Sequence, residues 1–396
     1  MIRAYKYKFY PNKKQIIILE HTLDICRSLY NAALEQRIYA HRLRKKIHYS
    51  NQQNELPILK KDFVEYRSVH SLVLQDVLHR VDKAFKAFFE RVKRKRKGES
   101  VRAGFPRFKP RRRFNSFTYT QSGFKLLSNG HIQLSKIGEL RVFRHREPIG
   151  KIKTVTVKRD NVGDWFLTVV TELSDTQPRK INTAISVDLG LKNFATLSSG
   201  EIITPPKLLR RTETTIKRAQ RVLSRRVKGS RNREKARIRL AKLHRKVGRQ
   251  RDDFLHKTSL WLVRKADLLV FEDLKVANMM RNHGLAKSIG DASWSKLVQY
   301  ASYKAESAGK RVELVDPRGT TQICSGCGAV VRKSLSERVH QCSTCGLLLG
   351  RDLNAAVNIL NRSVARGTRE LTPVEIAPTP SAMTASAVKE AGSPRL

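Results

Sequence analysis

Seven residues of this 396-residue chain have the types and spacing to do chemistry. Cys324 and Cys327 form one Cys-x₂-Cys pair and Cys342 and Cys345 a second, with 14 residues between the pairs and a glycine, Gly328 or Gly346, after each. This is the sequence form of a zinc ribbon: each pair folds into a tight knuckle, the glycine permits the turn, and four thiolates share one tetrahedral Zn²⁺. A packed thiol cluster or a pair of disulfides is the plainer reading, but cysteines so regularly spaced rarely serve packing alone. The other three residues are carboxylates. Asp188 interrupts the apolar run Thr183-Ala-Ile-Ser-Val-Asp-Leu189, Glu272 ends Leu268-Leu-Val-Phe-Glu, and Asp352 opens a helical pattern six residues after Gly346.

Taken singly, these acids read as an edge-strand acid, a strand-end acid and a helix N-cap. Taken together they point elsewhere, because a charge on an otherwise apolar element is costly and three carboxylates brought together repel unless a divalent cation sits between them. Such a cluster is how two-metal nucleases hold Mg²⁺: one ion sharpens an attacking water and the other stabilises the leaving oxygen of a phosphodiester. Asp273 and Asp291 are rivals for ligand roles. Asp273 would face away from Glu272 if the strand continued, so it ranks second.

The elements that must position these residues are α/β in pattern. Strands at 183–189, 194–197, 268–272 and 311–315 alternate with helices at about 252–265 and 292–308. Between them, residues 207–251 hold nineteen Lys/Arg against Glu213 and Glu234. Alanine and leucine spacing makes this a pair of basic helices joined near Lys228-Gly229-Ser230. The run lacks the acids that would make it a salt-bridged solvated face, which favours nucleic-acid contact, with Arg225, Arg226 and Lys228 as candidates.

The N-terminal part reads differently. Tyr5, Tyr7 and Phe9 alternate with Lys6 and Lys8 as a half-buried strand, and Asn12 with Gln15 has the form of a capping box. A helix follows on Ile16, Leu19, Leu23, Cys26, Tyr30 and Ala33, with Cys26 as a packed core thiol. A second helix is expected over Ser71–Lys97, ending in Lys93-Arg-Lys-Arg-Lys97. The segment Phe105-Pro-Arg107-Phe108-Lys109-Pro-Arg111-Arg112-Arg113 mixes aromatics that can stack bases with cations that neutralise phosphates. Strand-like runs at 114–121, 124–127, 131–134, 139–144, 151–159 and 164–173, split by turn residues, predict a small β-barrel. Its first strand precedes the helices, so residues 1–11 belong to it and the helical block 12–101 is an insertion. Beyond Arg366 the Thr/Pro/Ala/Ser-rich sequence predicts disorder.

Composition narrows the partner. Lys and Arg number 80 against 34 Asp and Glu, a net charge of +46, which calls for a polyanion. A membrane surface is the rival polyanion, but no apolar run approaches a spanning helix, and Met1-Ile-Arg-Ala-Tyr-Lys is strand-like rather than a signal peptide. Five cysteines, four of them paired for metal, fit a reducing cytoplasm.

The ordered set of motifs resembles TnpB, the RNA-guided endonuclease of bacterial and archaeal insertion sequences, and its relatives the type V CRISPR effector nucleases. The resemblance rests on Leu74-Gln-Asp-Val-Leu78, Ala84-Phe-Lys-Ala-Phe-Phe89, Gly104-Phe-Pro-Arg-Phe-Lys109, Ser186-Val-Asp-Leu-Gly190, Leu223-Ser-Arg-Arg226, Asp253-Phe-Leu-His-Lys257, Val270-Phe-Glu-Asp-Leu274, the four-cysteine ribbon and Arg351-Asp-Leu-Asn-Ala-Ala356. Val-Asp-Leu-Gly alone is weak; the order, with the ribbon before the last acid, is specific. Where family members commonly carry an acid before the Arg-Asp pair, this chain has Gly350, which leaves Asp352 in place.

The resemblance implies a multidomain α/β protein. A RuvC-like, RNase H-type nuclease domain (181–320 and 347–365) would carry an inserted zinc ribbon (321–346). A β-barrel wedge domain (1–11 and 102–180) would carry an inserted helical recognition domain (12–101), and 366–396 would be a disordered tail. It maps the Mg²⁺-binding catalytic acids onto Asp188, Glu272 and Asp352. It also implies guide RNA and target double-stranded DNA as partners and cleavage beside a short adjacent motif; the expected location is the cytoplasm, associated with the nucleoid, and a monomer is favoured with the oligomeric state left open. The rival readings are a catalytically inactive RNA-guided DNA-binding repressor of the same family, which would gain nothing from three acids, and an RNA- or ribosome-binding basic protein, which explains the charge alone.

Overall fold

The computed structural model describes residues 1–334 and 336–364, together with the two-residue strands Thr372–Pro373 and Ala382–Met383; the expectation of disorder for 366–396 otherwise lies outside the described residues. Residues 1–174 form one compact unit and the chain from 175 onward a second.

In the first unit, strand β1 (Ile2–Phe9) leads into helix α1 (Lys13–Arg42). The predicted capping box closes its N-terminus: Gln15 N donates to Asn12 Oδ1 at 2.8 Å and Asn12 N to Gln15 Oε1 at 2.9 Å. Short helices α2 (Tyr49–Asn54) and α3 (Leu56–Asp62) precede α4 (Ser71–Arg96). Strands β2 (Ser116–Thr120), β3 (Phe124–Leu126), β4 (His131–Leu134), β5 (Gly138–Phe143), β6 (Lys151–Arg159) and β7 (Trp165–Glu172) follow. With β1 they make one antiparallel sheet of order β2-β6-β7-β1-β5-β4-β3. Alternation works as read: Tyr5, Tyr7 and Phe9 are buried with Leu167 and Val169 of β7 and with Leu19, Leu23, Cys26, Leu74 and Leu78 of the helices.

Closure of the expected small β-barrel is not shown. The end strands β2 and β3 share no ladder among the described residues. Instead the β2 edge is covered by α4, where Arg80 donates from Nη1 to Ser116 O at 2.7 Å and from Nη2 to Thr118 Oγ1 at 2.9 Å. A helix satisfying an edge strand is an alternative to pairing it.

The second unit holds β8 (Thr183–Leu189), β9 (Ala195–Leu197), β10 (Ile202–Ile203), α5 (Leu208–Ser224), α6 (Arg231–Lys265), β11 (Leu268–Glu272), α7 (Val276–Met279), α8 (His283–Ala292), α9 (Trp294–Ser307) and β12 (Arg311–Val315). The small hairpin β13 (Val339–Gln341) and β14 (Leu348–Gly350) then leads into α10 (Arg351–Val364). The sheet order is β12-β11-β8-β9-β10, parallel through the first three strands and antiparallel from β8 to β10, which is the arrangement of an RNase H-type, RuvC-like fold. One face of the sheet (Ile185, Val187, Leu269, Phe271) packs on α6 and α9; the other (Ala184, Leu268, Val270) packs on Ile359 and Leu360 of α10. The separate helix expected at 252–265 is instead the second half of α6, because Gln250-Arg-Asp-Asp253 offers no breaker and Gly248 alone costs only about 1 kcal/mol in a helix interior.

Candidate active site and zinc ribbon

Register brings the acids together. Strand side chains alternate, so Asp188 shares a face with Ala184 and Ser186, and Glu272 with Leu268 and Val270: the α10 face on both strands. β8 and β11 run parallel with Val187 opposite Phe271, so Asp188 and Glu272 follow at the carboxyl ends of adjacent strands. Asp352 lies in the first turn of α10, which is held against that face where Ser186 Oγ donates to the carbonyl of Ala356.

Asp188 feels the other two acids. Burial, then the charges of Glu272 and Asp352, push the Asp188 carboxyl up to about 8 from an ordinary 3.8, with Arg351 pulling the other way. Burial also raises Glu272, against a hydrogen bond from Thr320 and the charge of Arg362. Glu272 Oε1 accepts from Thr320 Oγ1 at 2.7 Å. Asp352 Oδ2 accepts from Asn193 Nδ2 at 3.0 Å, and its Oδ1 lies 3.9 Å from Arg338 Nη1. Burial and the charges of Glu272 and Asp352 disfavour the ionised Asp188 carboxyl, and a divalent ion would offset that cost, which is the donor chemistry of a Mg²⁺ site.

The rival acids are engaged elsewhere. Asp273 pairs with Lys275 at 2.5 Å on the surface. Asp291 accepts from Leu209 N at the start of α5, at 3.1 and 3.3 Å, and from Arg251 Nη2 at 2.7 Å.

All four ribbon sulfurs lie within 4.8 Å of one another, with Cys324 to Cys345 at 3.7 Å and Cys327 to Cys342 at 3.6 Å. A Zn–S bond of about 2.3 Å makes the edge of a tetrahedron about 3.8 Å, so the cluster fits zinc and is far too open for disulfides. The two knuckles match: Gly328 N donates to Cys324 O and Gly346 N to Cys342 O, each at 2.9 Å, and both glycines have φ above +70°. Backbone N–H groups of Cys345 and Thr344 lower the Cys342 thiol, towards the thiolate that binds metal, while the neighbouring Cys327 and Cys345 thiols that share its hydrogen bonds are raised.

The ribbon is fastened to the helix that carries Asp352. Asn354, fully buried, accepts from Ser325 N at 2.9 Å and donates to Ile323 O at 2.8 Å; Asn358 donates to Thr320 O at 2.8 Å and Ile323 O at 2.6 Å. Thr320, Asn354 and Asn358 were not singled out by sequence reading. The one available signal was two asparagines a helical turn apart in an otherwise apolar pattern.

Of the predicted nucleic-acid contacts, Arg225, Arg226 and Lys228 are exposed at the α5–α6 joint, whose carbonyls Leu223 O and Arg226 O accept from Arg233. In the first unit Arg107, Phe108, Arg111, Arg112 and Arg113 are exposed. Phe105 is half engaged, edge-on to Phe85 and Phe88 with ring centroids 5.5 and 5.2 Å away. The backbone of Lys109 exchanges hydrogen bonds with Asn31, and Arg111 reaches Asp24 at 2.8 Å, so this segment is pinned to α1.

Three stretches of the chain match known families. A family described as "Probable transposase" matches residues 167–283, a "Cas12f1-like, TNB domain" matches 294–359, and a "Helix-turn-helix domain" matches 1–46, which here hold β1 and the single helix α1. A Streptomyces pristinaespiralis protein named "Putative RNA-guided DNA endonuclease" is 36% identical over 372 residues, spanning 92% of this chain and 90% of its own. The chain belongs to the TnpB family. InsQ of Escherichia coli K12, another TnpB family member named as a "Putative RNA-guided DNA endonuclease", is 31% identical over 91% of this chain and 92% of its own. Among solved structures, the mini-RNA-guided endonuclease CRISPR-Cas phi3 aligns over 92% of both chains with a TM-score of 0.51 at 10% identity, a likeness of fold. Among the described residues no helix is long and apolar enough to cross a membrane.

Proposed function

We propose that this TnpB family member is an RNA-guided, Mg²⁺-dependent DNA endonuclease, associated with a transposable element, that cuts target DNA beside a short adjacent motif. The observation that carries the reading is the convergence of Asp188, Glu272 and Asp352 from β8, β11 and α10, with the Asp188 carboxyl pushed up to about 8. These three would hold Mg²⁺, which supplies charge neutralisation at the scissile phosphate and an activated water. Thr320 and Asn193 orient two of the carboxylates, and burial on the α10 face limits competing solvent. Zn²⁺ in the four-cysteine ribbon serves structure.

The first unit is assigned to guide RNA and its heteroduplex with DNA, through a wedge sheet (1–11 and 102–180) with the helical insertion 12–101. The nuclease (181–320 and 347–365), ribbon (321–346) and tail (366–396) follow the domain plan read from sequence. Exposed cations at Arg107, Arg111–Arg113, Arg225, Arg226 and Lys228, with Phe105 and Phe108, are the proposed nucleic-acid contacts, and the net charge of +46 supports polyanionic partners. The test is plasmid cleavage by protein stripped of RNA, with matched guide and with scrambled guide, each with and without Mg²⁺. Cutting by the matched complex alone, and only with Mg²⁺, is expected. Site-specific cutting without guide would refute the RNA-guided reading, and target binding without cutting would favour the repressor.

A further inference from the structure

The sheet of the first unit has a second face that the function above does not use. Tyr5, Tyr7 and Phe9 point into the core with α1 and α4, so alternation turns the residues between them outward. Register aligns these outward residues across the strands. Lys8 of β1 lies opposite Phe143 of β5 on one side and Phe166 of β7 on the other, and Phe166 lies opposite Lys158 of β6. One row across the sheet therefore runs Lys158, Phe166, Lys8, Phe143. Cation and ring alternate along it, with the two rings about 10 Å apart because they stand two strands from each other. Tyr10, just past β1, lies under Lys8 Nζ at 4.7 Å from its ring centroid, and Phe166 under Lys6 Nζ at 4.5 Å.

These rings are open to a ligand. Tyr10 and Phe143, 67% and 66% exposed, are the two most exposed aromatic side chains among the described residues, and Phe166 is half-buried. Rings placed there only for cross-strand packing would be covered by their neighbours. The charge beside them is one-sided. Asp164 is bridged by Lys8 at 3.2 Å, Glu172 by Lys153 at 2.5 Å, and Glu139 is bonded by His131 at 2.6 Å and Asn129 at 3.1 Å. Arg141 and Lys158 are exposed and pair with no acid among the described residues. The next row on the same face, Thr118, Thr156 and Thr168, sets a line of hydroxyls beside the rings.

Bare anions would leave the rings unused, and a duplex keeps its bases paired and offers them nothing to stack. Unpaired nucleotides use both rings and cations, and every base has a face to stack. The threonine hydroxyls favour RNA, whose ribose hydroxyls can exchange hydrogen bonds with them where DNA has none. We infer that this face binds unpaired nucleotides of the guide RNA, with bases on Phe143, Phe166 and Tyr10 and phosphates on Lys158 and Arg141. The inference deepens the assignment of the first unit to guide RNA and rests on it.

The experiment uses the full chain loaded with the RNA that copurifies with it, transcribed with iodouridine in place of uridine and probed chemically for unpaired positions. Irradiation is expected to crosslink unpaired uridines to peptides containing Tyr10, Phe143 or Phe166. Phe143→Ala is expected to weaken guide binding at least about fivefold, in line with the stacking of one base, without changing its salt dependence. Phe143→Leu should behave like the alanine variant and Phe143→Trp like the wild type, while Lys158→Gln should lower the salt slope by about one. Unfolding temperatures should barely move, because these side chains are exposed. Unchanged affinity in Phe143→Ala, affinity kept by Phe143→Leu, or crosslinks confined to paired positions or other peptides would overturn the inference while leaving RNA-guided cleavage standing. Crosslinks to these peptides from iodinated target DNA in place of guide would overturn it in favour of a DNA-binding face. Site-specific cutting without guide would refute the RNA-guided reading itself, and the assignment of this face with it.

Discussion

The hydroxyl of Thr320 donates to Oε1 of Glu272 at 2.7 Å, and both residues are buried. Thr320 lies just before the first zinc knuckle, and Asn358 holds its carbonyl. A proposed catalytic acid at the end of β11 is therefore oriented by a residue that the ribbon and α10 hold in place. Thr320→Val, close to isosteric, is expected to lower cleavage about 10-fold and raise the Mg²⁺ concentration for half-maximal activity, whereas Thr320→Ser should restore both. Equal behaviour of the Val and Ser variants would show that the hydroxyl does not position Glu272.

Asp188→Ala, Glu272→Ala and Asp352→Ala are each expected to reduce cleavage by at least about 10³-fold while leaving guide-dependent target binding within a few-fold. Gel-shift and plasmid assays on the same preparations check this. Near-normal nicking at saturating Mg²⁺ by any one variant would remove that residue from the site.

Stability should depend on pH through Asp188. Its folded carboxyl is raised to about 8 from 3.8, so the folded state binds the proton more tightly than the unfolded chain. The stability this confers is fully present below about pH 4 and is lost as pH rises towards 8. Asp188→Asn, which does not ionise, should therefore gain on the wild type with rising pH, by about 1–3 kcal/mol at pH 8.5 without divalent cations. Thermal unfolding of both proteins from pH 5 to 8.5 checks the slope, and added Mg²⁺ should narrow the gap.

One zinc per chain is expected by elemental analysis. Cys342→Ser should lose it and increase hydrogen exchange over residues 320–325 and in the first turns of α10. Cys26 should resist alkylation in the native state with or without chelator, because it is buried, whereas the exposed Cys327 and Cys345 should react once zinc is removed.

The acids were legible because each breaks an apolar strand or opens a helix, and period-two alternation already implied that Asp188 and Glu272 could share a face. Strands β4, β6 and β12 were equally readable from alternation. Helices α2 and α3 were not, because both are too short for a helical period to register and α2 is polar, anchored by a buried Gln52 that donates to Ala33 O at 2.8 Å and accepts from Arg37 at 2.9 Å. Strands β13 and β14 are three residues each, too short for a period to register. Alternation reports which face of a strand is buried, not which edges meet, so sheet closure in the first unit was beyond it. The asparagine contacts were hidden for a similar reason: the sequence does not say which backbone carbonyl a buried amide will reach.

Those asparagine contacts also set a unit of exchange for engineering. Asn354 and Asn358 grip the backbone of residues 320–325, so the ribbon is spliced to α10 by main-chain contacts that any donor sequence could supply, while the gripping amides must travel with it. A transplant bounded by the cysteines would sever the splice. One running from Thr320 to Asn358 would carry both halves, and with them Asp352, to a new host sheet.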